Sequence, residues 1–375
     1  MAGVGTVADL GVRIGSLPSG PTGSVLDVPG VGLGHATIVY DDPPPPFGRG
    51  VARTGVTVLD LGGDTWERPV PAGIALLNGA GELTARSQVD EWGLLETPVF
   101  LTSTMQVGRV YDAACRLLMA EQPRIGVDDV IIPAVGECDD SWLNDPRHMH
   151  VTDEHVAAAL ANARASAGSG VAPDQGAVGA GTGMSCFNWK GGIGTASRVL
   201  PDGHVLGVVL LTNFGQWDRL TVAGAPVGRE LGAPPHLAPP PAGSCLGVVV
   251  TDAPLDHRAC ERLATRVGLG LARTGTAGGH FSGDIFLAFS TANEGALRSE
   301  IPLAAATDDD YDTVRFVPWG HIDPFFTAVV ECVEEAVLNA LVVNDDMVGR
   351  DGNRSPALPR DRVVDALRRH GRLVG

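Results

Sequence analysis

LGAPPHLAPPPAG occupies residues 231–243, and SCLGVVVTD follows at 244–252. The character of the chain flips between them. Five prolines make the first stretch an extended, solvent-exposed connector. The second is apolar and rich in β-branched residues, so it reads as a strand. At the junction stands Gly243-Ser244. A serine hydroxyl beside a strained peptide can attack the carbonyl just before it, and the resulting ester is then hydrolysed. Glycine leaves that carbonyl sterically open and permits unusual backbone angles. After such a cut Ser244 would carry both a hydroxyl and a free α-amine. An α-amine has a pKa of about 7.7–8.0, suited to a general base near neutral pH. One residue then supplies nucleophile and base, on the rigid end of a strand. The plainer reading of the same layout is a mixed α/β globule with a Pro-rich loop in its middle.

Upstream of the junction, VLGVVLLTN at 205–213 reads as a buried strand. Before it, the glycine-rich GAVGAGTGMSCFNWKGGIGTASRV at 176–199 excludes a regular helix. Helices are expected from Asp153 to about Ala165 and from Gly108 to Glu121, the latter with Val110, Ala114, Leu117 and Leu118 on one face. Short strands separated by turns fill the first 110 residues, and DDPPPPFGRG at 41–50 must be a surface loop. Downstream, residues 257–274 form an amphipathic helix with Cys260, Leu263, Val267 and Leu271 on one stripe, and DIFLAFSTAN at 284–293 a further strand. A last helix opens at Asp323-Pro324, read as an N-cap followed by proline at the first helical position. Its apolar residues cover most of its circumference, so it is expected to be buried between a sheet and a neighbouring subunit.

Composition narrows the function classes. Hydrophobic residues make up 44% of the 375 and charged residues 19%, which fits a packed globule rather than a disordered chain. The formal charge of -17 repels phosphate backbones, and no Lys/Arg cluster offsets it, so nucleic-acid binding is not expected. No run of about 18 apolar residues suggests a membrane helix. The first 20 residues lack a basic start followed by an apolar run, so no signal peptide is read and a cytoplasmic location is expected. The six cysteines are scattered without a CxxC pair, which argues against zinc and disulfide frameworks.

The motifs AGSCLGVVVTDAPL and RLATRVGLGLARTGTAGGHFSGDIFLAFSTAN resemble the β-peptidyl aminopeptidases and L-aminopeptidase/D-esterases, self-processing serine aminopeptidases of the N-terminal-nucleophile type. LDVPGVGLGHATIV, RTGVTVLDLGG, ALLNGAGELT, WGLLETPVFLTST, LLTNFGQWDRLTVAG and EEAVLNALVVNDDMVGRDG are similar to that family in the same order, so the resemblance covers nearly the whole chain. It implies an α/β fold, a four-layer α/β/β/α sandwich. It also implies a single domain, 1–375, that cuts itself into chains 1–243 and 244–375, between Gly243 and Ser244. The cleaved heterodimers would assemble into a homo-oligomer, with no cofactor and no metal. The substrate would be a short peptide, amide or ester. By resemblance Ser244 is the nucleophile, Ser282 helps move its proton, Asp284 orients Ser282, and Asn213 donates to the oxyanion. Glu137 anchors the substrate amine. The chain departs from the family just after Glu137, where an aromatic residue is usual and Cys138-Asp139-Asp140-Ser141 stands instead. The nearest aromatic, Trp142, is then the candidate substrate-binding ring.

Other signals carry less. GAGTGM at 179–184 lacks the strand–turn–helix setting of a nucleotide loop and reads as backbone packed near the site, with Thr182 able to line it. His148, His150, Asp153 and His155 read as a solvated loop entering a helix rather than a metal site. His280 is a possible conventional base, ranked below the Ser244 amine. Two rival functions remain: an acyltransferase similar to ornithine acetyltransferases, which normally use threonine as nucleophile, and an uncleaved binding protein.

Overall fold

A computed structural model describes residues 5–235, 243–296 and 305–374. Most of the Pro-rich connector, 236–242, lies outside the described residues. In chain order the strands are β1 (Gly32–Tyr40), β2 (Ala52–Asp60), β3 (Val70–Gly79), β4 (Leu94–Leu95), β5 (Val99–Ser103), β6 (Ala134–Cys138), β7 (Ser185–Cys186), β8 (Trp189–Lys190), β9 (Gly192–Val199), β10 (Val205–Asn213), β11 (Ser244–Thr251), β12 (Gly283–Ser290), β13 (Met347–Val348) and β14 (Arg354–Ser355). The α-helices are α1 (Arg86–Trp92), α2 (Val107–Glu121), α3 (Asp153–Ser166), α4 (Val227–Leu231), α5 (His257–Arg273), α6 (Asp323–Val342) and α7 (Arg360–Arg369).

Two sheets dominate. One has the order β1-β2-β5-β6, the other β4-β3-β12-β11-β10-β9. The pairs β5/β6 and β11/β12 are parallel, and the remaining neighbours in both sheets are antiparallel. β10 shows why the second sheet is buried on both faces. Leu206, Val208 and Leu210 pack outward with Leu263, Val267, Val333 and Val337 of α5 and α6. Val209 and Leu211 pack the other way, against Leu33, Leu59 and Leu101 of the first sheet. The period of two thus feeds two separate cores from one strand. A third core lies where Ile38, Val56, Val58 and Phe100 meet Val110, Val156 and Leu160 of α2 and α3. The layers are therefore helix, sheet, sheet, helix, as the sequence motifs imply.

Helix α6 differs from its sequence reading in two ways. Asp323 is already inside the helix and makes no capping bond, and Ile322 is the N-cap. Proline at the second helical position is tolerated because first-turn N–H groups have no intrahelical acceptor. The second difference concerns its burial. The apolar circumference is covered within one chain, by β9, β10 and α5, and needs no neighbouring subunit. Its buried acids have a partner that sequence pattern did not reveal. Arg198 of β9, 1% exposed, donates to Glu331 at 3.0 Å, to Glu335 at 2.6 Å and to the Ile14 carbonyl at 2.7 Å. That network ties the N-terminal segment to α6 and the sheet.

Candidate active site

Strand β11 begins with Ser244, and its alternation decides where the hydroxyl points. Leu246, Val248 and Val250 face the space between the sheets, whereas Cys245 and Val249 face α5 and α6. Ser244 shares the parity of the first set, so its side chain projects between the sheets. The antiparallel register sets Asn213 directly opposite Ser244, and the parallel register sets Gly283 on the other flank. The junction is thereby bracketed on both sides by hydrogen-bonded strands.

The Gly243 carbonyl and the Ser244 hydroxyl converge on one donor. The Gly283 N–H lies 3.1 Å from Gly243 O and 3.3 Å from Ser244 Oγ. Next to it, the Ser282 hydroxyl donates to Asp284 Oδ1 at 2.8 Å. The other carboxylate oxygen of Asp284 accepts from Asn78 Nδ2, also at 2.8 Å. Burial pushes the Asp284 carboxyl above the usual aspartate range, while the bonds from Asn78, Ser282 and the Cys245 N–H pull it back. Sequence reasoning missed Asn78. It sits in the ALLNGAG motif, but its partner is reached only by pairing β3 with β12.

Asn213 is held rigidly. Its Nδ2 donates to the Asp139 carbonyl at 2.7 Å and its Oδ1 accepts from the Ser185 N–H at 3.0 Å. A primary amide has two N–H groups, so one remains for an acceptor in front of Ser244. The support behind Ser185 was not legible either. Lys190, fully buried, donates to the carbonyls of Gly181, Met184 and Gly191 at 3.2, 2.7 and 2.9 Å. Burial without a carboxylate brings its pKa down to about 7. Ser185 also shares a hydroxyl bond of 2.9 Å with Ser355 of β14.

Glu137 is the penultimate residue of β6, on the opposite sheet. Its carboxylate accepts from the Glu82 N–H at 2.9 Å and from the Thr104 hydroxyl. A Cβ on Gly81 would lie 3.0 Å from Glu137 Oε1 and 3.1 Å from the Gly283 Cα, so a glycine there lets the carboxylate approach the start of β12, the strand paired beside Ser244. Burial raises the Glu137 pKa most; the Thr104 and Glu82 bonds oppose it, and the charges of Asp139 and Glu82 add to it.

The segment after Glu137 divides its labour. Asp139 is exposed; its backbone carbonyl holds Asn213, and its carboxylate accepts from the Ser141 N–H and hydroxyl at 2.9 and 2.8 Å. Asp140 is fully buried, accepts from Ser103 at 2.8 Å and Asn144 at 3.0 Å, and has its pKa pushed up by burial to about 6. Trp142 spends its indole N–H on the Arg354 carbonyl at 3.1 Å, so the ring is tied to β14 and not to the Glu137 carboxylate. Thr182 is also fully buried, and its hydroxyl turns back to Gly179 O at 2.6 Å rather than lining the site. His150 is engaged by Tyr40 and the Asp145 carbonyl. Among the described residues no group of three or more His, Cys, Asp or Glu is gathered as for a metal. A cavity of about 400 Å³ opens beside Gly243 and Ser282, and His280 lines it.

Residues 23–355 match the profile of Peptidase family S58. The chain belongs to that family. A β-peptidyl aminopeptidase, BapA, of Sphingosinicella xenopeptidilytica is 36% identical over 376 residues, spanning 96% of this chain and 90% of its own. The structure of a β-aminopeptidase from a Burkholderia species superposes with a TM-score of 0.86 at 40% identity, covering 98% of this chain and 99% of that one. The L-aminopeptidase D-Ala-esterase/amidase of Ochrobactrum anthropi, described as a prototype serine aminopeptidase with a variant of the Ntn hydrolase fold, gives 0.86 at 34% identity over 99% of this chain and 100% of that one. Family, fold and catalytic class thus agree with the sequence reading. The protein is a hydrolase of the aminopeptidase type on an Ntn-hydrolase scaffold.

Proposed function

We propose that the chain matures by cutting itself between Gly243 and Ser244 and then removes amino-terminal residues from short peptides, amides or esters through an acyl-enzyme on Ser244. The observation that carries this reading is the shared donor: Gly283 N–H addresses both Gly243 O and Ser244 Oγ. In self-cleavage the hydroxyl adds to the Gly243 carbonyl, and that N–H faces the oxygen on which negative charge develops. Collapse breaks the C–N bond, the Ser244 nitrogen leaves as an amine, and water hydrolyses the ester. In turnover the freed amine takes the Ser244 hydroxyl proton as the hydroxyl attacks the substrate carbonyl. The spare Asn213 N–H stabilises the oxyanion. Asp284 orients Ser282, which relays protons beside the nucleophile. Glu137 binds the substrate ammonium by a charge-assisted hydrogen bond.

The family's usual aromatic residue is replaced by Asp139, so a hydroxyl from that side chain is not part of this oxyanion site. Asn213 then carries the role with backbone donors. Intact mass of the purified protein tests the proposal. Two fragments meeting at Gly243/Ser244, together with release of p-nitroaniline from amino-acid p-nitroanilides, are expected. Ser244→Ala should remain one inactive chain. A full-length wild type without hydrolase activity would favour a binding protein instead.

A further inference from the structure

The site is electrically polarised. Carboxylates gather at one end, where Glu137 has the charges of Asp139 and Glu82 close enough to raise its pKa. The 400 Å³ cavity is lined instead by Gly243, Ser282, Phe214, Gln216, Arg219 and His280, and Glu137 is not among its described lining residues. Among its described lining residues there is no acid, and Arg219 is the one permanently charged group. Arg219 is exposed, and neither its neighbour Asp218 nor any other described carboxylate pairs with it. The imidazole of His280 offers an N–H donor in either protonation state. The volume is at the small end for ligand pockets, which suits a short leaving group.

We propose that Arg219, assisted by His280, binds the free carboxylate of a short peptide whose ammonium is held at the Glu137 end, so that the preferred substrates are zwitterionic di- or tripeptides rather than C-terminally capped amides or esters. This inference rests on the aminopeptidase reading and adds a second charge to the substrate it names. A planar guanidinium matches a carboxylate bidentately, which a lone ammonium cannot do. At an exposed mouth the pair is screened, so its effect is moderate and falls with salt.

The test uses the processed enzyme and Arg219→Gln, an exposed substitution that keeps length and removes charge. Alanyl-leucine and β-alanyl-leucine are each compared with their C-terminal amides, with alanine p-nitroanilide as a carboxylate-free control. Wild type should prefer the free acid of whichever peptide it cleaves. The variant should lose about three- to fivefold in kcat/KM on the free acid, mainly through KM, and less than about twofold on the amide and the anilide. In 0.5 M NaCl the wild-type preference should shrink toward that of the variant. Equal losses on acid and amide, or no loss on the acid while the anilide is turned over, would overturn the assignment of Arg219. If wild type cleaves none of these compounds, the aminopeptidase reading falls, and this inference with it.

Discussion

Replacing Asn78 by alanine removes one of the two side-chain hydrogen bonds received by the Asp284 carboxylate. Asp284 is only 3% exposed, so water has little room to substitute for the lost amide. A hydrogen bond to a charged group contributes roughly 1.5–3 kcal/mol, and one pKa unit corresponds to about 1.4 kcal/mol. The bond favours the ionised form over the protonated one, which still accepts but more weakly, so its loss raises the Asp284 pKa, by at most about one unit at the lower figure. Burial has already moved that pKa in the same direction. If ionised Asp284 is needed to orient Ser282, the acid limb of the pH profile should therefore move upward by up to about one unit, while activity on the plateau changes only a few-fold. The assay is the kcat/KM of anilide hydrolysis between pH 4.5 and 9 for wild type and Asn78→Ala. Should the variant mature only slowly, the rate of fragment appearance on gels over the same range reports the same ionisation. An acid limb that stays in place, or a uniform loss at every pH, would refute the role given to the Asn78–Asp284–Ser282 chain.

Asn213→Ala should lower kcat about 10²- to 10³-fold with KM changed much less, the signature of a donor that acts on the transition state; a change confined to KM would place Asn213 in substrate binding. Lys190→Met should reduce kcat several-fold by loosening the Ser185 support of Asn213. It should also flatten a pH dependence of stability: the folded-state pKa of about 7 lies below that of an ordinary lysine, so between pH 7 and 9 the unfolded chain binds more protons and wild type gains stability as pH rises. That contribution is about 1.4 kcal/mol per pH unit, readable from urea midpoints at pH 7, 8 and 9, and an identical slope in both proteins would contradict it.

What could be read from the chain followed from local order. Continuous apolar runs such as 205–213 and 244–251 marked the central strands, and the 3.6-residue stripe of Cys260, Leu263, Val267 and Leu271 marked α5. Ser244, Asn213 and Gly283 came together because strand register converts sequence positions into neighbours. The residues that escaped notice act across the fold. Asn78 reaches Asp284 over 206 positions, and Arg198 reaches Glu331 over 133. Nothing in a local pattern announces such partners. For Trp142, proximity in sequence to Glu137 says little about direction: its indole N–H is drawn to the Arg354 carbonyl. Asp140, next to the exposed Asp139 in sequence, is a buried acceptor for Ser103 and Asn144, a difference the doublet itself does not reveal.

The strand order β4-β3-β12-β11-β10-β9 interleaves the two sides of the Gly243–Ser244 junction, since β11 and β12 lie after it and are flanked by β3 and β10, which lie before it. A cut there would free no edge of the sheet, and the pieces would stay laminated without a covalent tether. Unfolding would be another matter. Once separated, β11 could rejoin β10 only by a bimolecular search, where the uncut chain closes a loop of about 30 residues. A matured molecule would thus keep its architecture as an heirloom of the precursor, able to hold the fold but slow and concentration-dependent in regaining it.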